Sequence, residues 1–250
     1  MLSLFQFRRR NSDRSPLALL FWWGVVPWTV GAAARLVWGY RSVGIERVPR
    51  TGPALVVSNH QSHLDPMLIG VATRDRTFRA LARKSLMTDL PRFIAWSMRV
   101  GIRTIQLDQD RADPAALKAA IAELKAGRLS VIFPEGERTP DGTVQPFERG
   151  AWLLIKRGGA PILPIGVDGA FDAWPRGGKM TRHAGVRLHI GELIPNEELM
   201  AMGPEHGLAF LRKRVDELRM AARADIRRRT KGRYPLPGPA DASLDIEPSP

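Results

Sequence analysis

The sequence predicts an α/β fold: a mixed sheet flanked by helices on both faces, preceded by an N-terminal hydrophobic, membrane-associating helical segment. Three observations carry this reading. Short apolar runs alternate along the chain with segments whose apolar residues recur every three or four positions, as strands packed between helices do. The run Leu129–Phe133 is apolar without interruption, the pattern of a strand buried on both faces. Residues 17–39 are mostly apolar and rich in tryptophan, and they follow Arg8, Arg9, Arg10 and Arg14.

The N-terminal stretch admits three readings. A basic start, an apolar middle and Ala32-Ala33-Ala34 suit a cleaved signal peptide. A length near the ~20 apolar residues that a bilayer requires suits a single span, although Pro27 and Arg35 interrupt it. A pair of short helices broken near Pro27 would lie in one leaflet, with Trp22, Trp23, Trp28 and Trp38 at headgroup depth. Residues 1–40 are assigned to this segment, 41–230 to one domain, and 231–250 to a Pro- and Gly-rich tail expected to be disordered.

Within the domain, Thr51-Gly52-Pro53 turns into a strand at Ala54–Val57, and Asp65-Pro66 opens a helix with Asp65 as its N-cap. Thr77–Arg83 alternates as a strand does, residues 86–98 return to helical spacing, and Arg103–Leu107 is a short strand. Asp113-Pro114 opens a helix with the stripe Leu117, Ala120, Ile121 and Leu124, closed by Gly127. After the strand Leu129–Phe133 come a helix at Phe147–Arg157 and strands at Pro161–Val167 and Val186–Ile190. From Pro204 to about Arg229 a helix carries Leu208, Leu211, Val215, Leu218 and Ala222 on one face. Arg212, Arg219 and Arg223 fall on the opposite face, expected to be solvated or in contact with a membrane.

A formal net charge of +13 attracts either nucleic acid or an anionic membrane surface, and composition alone does not choose. The absence of cysteine excludes disulfides, thiolate metal sites and a cysteine nucleophile. No G-x-S-x-G elbow is present for a serine hydrolase.

Two polar clusters stand at the ends of apolar strands. The first is Asn59-His60-Gln61-Ser62-His63-Leu64-Asp65, a loop short enough for Asp65 to turn back onto one imidazole nitrogen of His60. The other nitrogen is then left basic, which makes a general base with its orienting partner. A metal site remains open here, because His60, His63 and Asp65 spell H-x-x-H-x-D. The second cluster, Pro134-Glu135-Gly136-Glu137-Arg138-Thr139, places a guanidinium beside carboxylates, a ready clamp for phosphate or else a local ion pair in a surface turn.

Together the clusters resemble the motifs of the glycerolipid acyltransferases, the family of 1-acylglycerol-3-phosphate acyltransferase. His60 to Asp65 looks like the H-x4-D motif, Phe133 to Thr139 resembles F-P-E-G-x-R-S, Phe147-Glu148-Arg149-Gly150-Ala151 is similar to F-K-x-G-A, and Ala160–Val167 resembles the proline-containing fourth motif. The resemblance implies transfer of a fatty acyl chain from acyl-CoA or acyl-carrier protein to a lysophospholipid hydroxyl, lysophosphatidate foremost, without a cofactor, a metal or nucleic acid. It makes His60 the base and Asp65 its orienter. Glu135, Gly136 and Arg138 become acceptor-binding residues, with Arg138 on the phosphate. In the second family motif Gln109 stands where an arginine is expected, so Arg103 or Arg111 is assigned to the phosphate in its place. Glu137 replaces a small hydroxyl residue, and a second carboxylate there is expected to repel a dianion. His63 becomes a variable position within the motif. The family also favours the leaflet-embedded helix pair: a monotopic protein on the cell membrane, contacting lipid, with its domain on the cytosolic face beside the thioester donor. The alternatives are an acyltransferase of the same fold with another lysolipid acceptor, and a non-catalytic lipid- or nucleic-acid-binding protein that keeps the fold.

Overall fold

The computed structural model describes residues 15–83, 95, 96, 98–107, 113–181 and 185–244. Seven strands form one sheet: β1 (Arg41–Val43), β2 (Ala54–Ser58), β3 (Phe78–Arg83), β4 (Ile105–Leu107), β5 (Leu129–Ile132), β6 (Ile162–Asp168) and β7 (Arg187–Ile190). Their order is β1-β7-β6-β2-β5-β3-β4, and every adjacent pair is parallel except β6 with β7. The predicted mixed sheet is present. The helices are α1 (Pro16–Trp38), α2 (Asp65–Ala72), α3 (Pro114–Lys125), α4 (Arg149–Gly158), the single turn α5 (Ala170–Ala173) and α6 (Asn196–Thr230). The helical spacing of 86–98 falls largely outside the described residues, as does Arg111.

Side-chain alternation along the strands explains their uninterrupted apolar character. Ala54 and Val56 of β2, with Leu129 and Val131 of β5, pack under Leu19 and Trp23 of α1 and Leu68 and Ile69 of α2. Leu55 and Val57 point the other way, onto α3, α4 and α6 through Ala120, Leu124, Leu154, Ile155, Leu211 and Val215. Both faces are covered, so neither set can be polar. Asp113 caps α3 as its sequence predicts, accepting from the N–H groups of Ala115 and Ala116 at 3.0 Å each.

Helix α1 is not broken at Pro27. It runs in one piece through a π-helical turn at Phe21–Val25, where Val26 N–H donates to Phe21 O. That wider turn lies immediately upstream of Pro27, where the proline ring would otherwise press on the preceding turn and an N–H is missing. One face of α1, with Leu19, Trp23, Gly31 and Ala34, packs on the domain, while Leu17, Phe21, Trp28 and Leu36 are exposed.

Helix α6 starts before Pro204, at Asn196, with a kink at Gly203 (φ 76°, ψ 177°) that lets Pro204 begin a second helical run. Its apolar stripe lies close against β6. A Cβ on Gly166 would meet the backbone nitrogen of Arg219 at 2.2 Å and the carbonyl carbon of Leu218 at 2.4 Å, and backbone cannot step aside as a flexible side chain can. Gly166→Ala is therefore expected to lower the unfolding free energy by about 3 kcal/mol, measured by urea denaturation. An unchanged midpoint would contradict this close seating.

Two expectations for the C-terminal region are overturned. Arg219 and Arg223 are buried within the packed face of α6, at 0% and 3% exposure, rather than solvated. What buries them is the segment after the helix: residues 231–244 fold back along α6 instead of trailing away. Arg219 donates to the carbonyls of Ala240 and Ala242, Arg223 to that of Leu236, and Leu244 N–H donates to Asp216 at 2.8 Å.

Candidate active site

The sheet order brings the two polar loops together. β2 lies between β5 and β6 and is parallel to both, with Val57 level with Ile132 and Pro164. Their carboxyl ends therefore open on the same edge, where open α/β sheets hold their ligands. The loop after β2 carries Asn59–Leu64, and the loop after β5 carries Phe133–Thr139.

Backbone hydrogen bonds lock these loops to each other. His60 N–H donates to Glu135 Oε1 at 2.7 Å, and Thr139 N–H donates to His60 O at 2.8 Å. Glu135 Oε2 accepts from Gln145 N–H at 2.8 Å. Both oxygens of Glu135 are thus engaged by backbone, and this residue ties the loops together. Burial pushes its carboxyl up to about 8, against the pull of those two N–H donors. Gly136 adopts φ 74°, a left-handed conformation that a side chain would strain, and its N–H closes the turn on Phe133 O.

His60 and Asp65 meet as their spacing predicts, with Nδ1 and Oδ2 2.8 Å apart. A carboxylate only accepts, so Nδ1 carries the proton and Nε2 keeps its lone pair. The imidazole stacks on Phe133 with centroids 4.1 Å apart and planes at 22°, which fixes the ring. Asp65 is the first residue of α2 rather than its cap: Leu64 takes that place, and Asp65 turns back so that Oδ2 also accepts from Gln61 and Ser62 N–H at 2.7 Å each. His60 and Asp65 are held by one loop's own backbone.

His63 is more than a variable position. Its Nε2 accepts from Arg138 Nη1 at 2.7 Å, and its ring packs on Trp174 at 5.1 Å. With His60 turned to Asp65 and His63 to a guanidinium, the three donors of the metal reading do not face a common point. Among the described residues no group of three or more His, Cys, Asp or Glu side chains is arranged to hold a metal ion. Arg138 itself is buried at 7% exposure beside the His60 loop. Glu137 faces away from this cluster and pairs with Arg176 at 2.6 Å, both side chains half exposed, so its charge is compensated at the rim. Arg103 does not join the cluster: it is exposed and precedes β4, three strands from β2, about 14 Å across the sheet.

The structure adds residues that sequence reasoning missed. Asn59 pairs through its side chain with both backbone groups of Val167, at 2.9 and 2.8 Å, extending the β2–β6 contact into the loop. Gln61 reaches Gly142 O at 2.9 Å and Asp168 Oδ1 at 3.3 Å, and accepts from Phe171 N–H at 3.2 Å. Asp168, fully buried at the end of β6, is pushed up to about 6 by burial, opposed by Arg223 and Arg219. A carboxylate ending an apolar strand was the one visible signal.

A family model described as acyltransferase matches residues 40–168, just over half of the chain. The 1-acyl-sn-glycerol-3-phosphate acyltransferase of Bacillus subtilis is 27% identical over 184 residues, covering 72% of this chain and 88% of the relative. A chloroplastic 1-acyl-sn-glycerol-3-phosphate acyltransferase of Brassica napus is 29% identical over 154 residues, 60% of this chain and 44% of the relative. The chain spans less than half the length of the plant relatives it matches. The crystal structure of the 1-acyl-sn-glycerophosphate acyltransferase of Thermotoga maritima aligns with a TM-score of 0.70 at 25% identity, covering 92% of this chain and 88% of that one. The matched span opens just before β1 and ends at Asp168, so it encloses the His60 loop, the Glu135 turn and the strands that join them: the chain belongs to the acyltransferase family.

Proposed function

We propose that the protein transfers a fatty acyl group from a thioester, acyl-CoA or acyl-carrier protein, to the free hydroxyl of 1-acylglycerol-3-phosphate, giving phosphatidate. The observation that carries this reading is the joining of His60 to Glu135 by a 2.7 Å hydrogen bond, which sets an oriented base beside the Arg138 turn. His60 Nε2 takes the acceptor's hydroxyl proton as the alkoxide oxygen bonds to the thioester carbonyl carbon. The C–S bond then breaks, and the thiolate recovers the proton from the imidazolium that Asp65 steadies. No acyl-enzyme forms. Arg138 supplies the positive charge for the acceptor phosphate, and the relatives' printed names support that acceptor class.

The protein works on a membrane in this reading, seated in one leaflet with its domain on the cytosolic side. Leu17, Phe21, Trp28 and Leu36 of α1, with Trp96 and Val100, form an exposed apolar surface, and a net charge of +13 suits anionic lipid. Only one face of α1 is available to lipid, since a third of its most apolar stretch is packed against protein.

Purified protein in mixed lipid–detergent micelles, given lysophosphatidate and an acyl thioester, is expected to release thiol and phosphatidate in equal amounts. A phosphate-free monoacylglycerol should be a poor acceptor. No thiol release with either donor and any lysolipid would end this reading.

A further inference from the structure

The His60 loop is held from behind as well as from within. Gln61 is the link: its N–H donates to Asp65 Oδ2, while its side chain is fastened to Gly142 O and to Asp168. Asp168 accepts from Arg223 Nη1 on both oxygens, at 3.3 and 3.2 Å, and Arg219 Nη1 lies 3.8 Å from it. These two guanidinium groups are gripped on their far side by the C-terminal segment. Arg223 donates to Leu236 O at 3.0 Å and to Asp241 Oδ1 at 2.7 Å. Arg219 donates to Ala240 O at 2.7 Å and to Ala242 O at 3.0 Å. A second route bypasses the arginines. Ala240, buried at 7% exposure, lies against Gly142, where an added Cβ would meet the Ala240 methyl at 3.1 Å.

We propose that residues 236–242 form a C-terminal strap that positions the His60 loop, acting through Arg223 and Arg219 on Asp168 and through Ala240 on Gly142, the two acceptors of the Gln61 side-chain amide. The strap rests on the acyl-transfer reading for its consequence, though not for its existence. The physical reason is donor satisfaction. A buried guanidinium whose carbonyl partners are withdrawn must find others or move toward water. Either movement frees Asp168 and loosens Gln61, which is then held by Gly142 O and Phe171 N–H alone. A slackened Gln61 leaves His60 present yet misplaced, and displacements on the order of 1 Å at a reacting centre cost up to about 10²-fold in rate. Asp241 and Arg223 are accordingly positioning residues, since neither touches the base.

The test uses the full-length chain with Asp241→Ala, Asp241→Glu and, as a control on the same helix, Arg214→Ala, which breaks only the exposed Arg214–Glu217 pair. The Asp241 side chain is one-third exposed, so its removal spares the core. Asp241→Ala is expected to lower kcat about tenfold with KM for both substrates within about twofold, and Asp241→Glu to recover most of the loss. Amide hydrogen exchange at Gln61 and Ser62 should quicken about tenfold in Asp241→Ala while β2 and β5 exchange as in the wild type. Arg214→Ala should leave both readouts unmoved. A wild-type kcat in Asp241→Ala, wild-type exchange at Gln61 and Ser62, or a rise spread evenly over the sheet would each overturn the strap. If the wild type transfers no acyl group, the functional reading fails, and the exchange comparison still decides whether the strap holds the loop.

Discussion

Replacing His60 with alanine is expected to reduce acyl transfer by ~10³-fold or more, a loss of about 4 kcal/mol in transition-state stabilisation, with membrane binding unchanged. The size follows from the geometry. Nε2 is the basic atom of the pair, because Nδ1 is committed to Asp65 at 2.8 Å, and the fixed ring on Phe133 has no second orientation in which to compensate. A backbone hydrogen bond from His60 N–H to Glu135 survives the substitution, so the two loops stay joined and the fold persists. The ring's stacking contact, its small buried area and its Nδ1–H bond to Asp65 are lost, while Asp65 Oδ2 keeps the N–H groups of Gln61 and Ser62, a cost of about 2–4 kcal/mol of stability. Thiol release from the acyl donor, followed alongside circular dichroism and flotation with vesicles, separates these terms. Full transfer by the alanine variant would remove His60 from the mechanism. Binding through α1 should be untouched, since the exposed residues Leu17, Phe21, Trp28 and Leu36 belong to another part of the surface.

The local chemistry of this site was legible because it is written in short stretches. Six positions from His60 to Asp65 and six from Pro134 to Thr139 contain the pair and the turn, and the apolar runs before them mark strand ends. What joins them is not local. The neighbourhood of β2, β5 and β6 is a property of strand order, and no spacing within either motif encodes the 2.7 Å bond from His60 to Glu135 across 75 residues. The sequence therefore does not reveal that Glu135 also ties the loops through its two oxygens. From sequence, Arg219 and Arg223 fall on a face expected to meet water or a membrane, because charge on a helix usually faces outward. Yet Leu211, Val215, Arg219, Arg223 and Ile226 fall at helical spacings along one face, and all are buried. An arginine standing in an apolar stripe asks for a buried carboxylate, and Asp216 is that carboxylate for Arg219 and Asp168 for Arg223. The tail was misread for the same reason. Pro and Gly content suggests disorder, whereas over residues 236–242 the backbone carbonyls of Leu236, Ala240 and Ala242 accept from guanidinium N–H groups that their carboxylate partners leave over.

Glu135→Ala is expected to be the most damaging change outside the base itself, lowering stability by about 2–4 kcal/mol and transfer by about 10²-fold. It leaves His60 N–H and Gln145 N–H without acceptors in a buried turn, and it severs the bond that sets the base against the Arg138 loop. Glu135→Gln keeps the shape and removes the titrating carboxyl. Its amide offers one acceptor and turns an N–H₂ toward the other donor, so half of the tie is lost, with a cost of about 1–3 kcal/mol. The pH dependence distinguishes this account from simple cavity formation. Burial raises the folded carboxyl to about 8 from an ordinary value of 4.5. A carboxyl raised in this way stabilises the fold in its protonated form, so that contribution is complete below about 4.5 and is lost as pH rises through 8. The wild-type melting temperature should fall across that interval, and the Gln variant, having nothing to titrate there, should show a shallower fall. Parallel slopes in the two proteins would mean that Glu135 is not the buried acid of this turn, and that the two loops are held by their backbones alone.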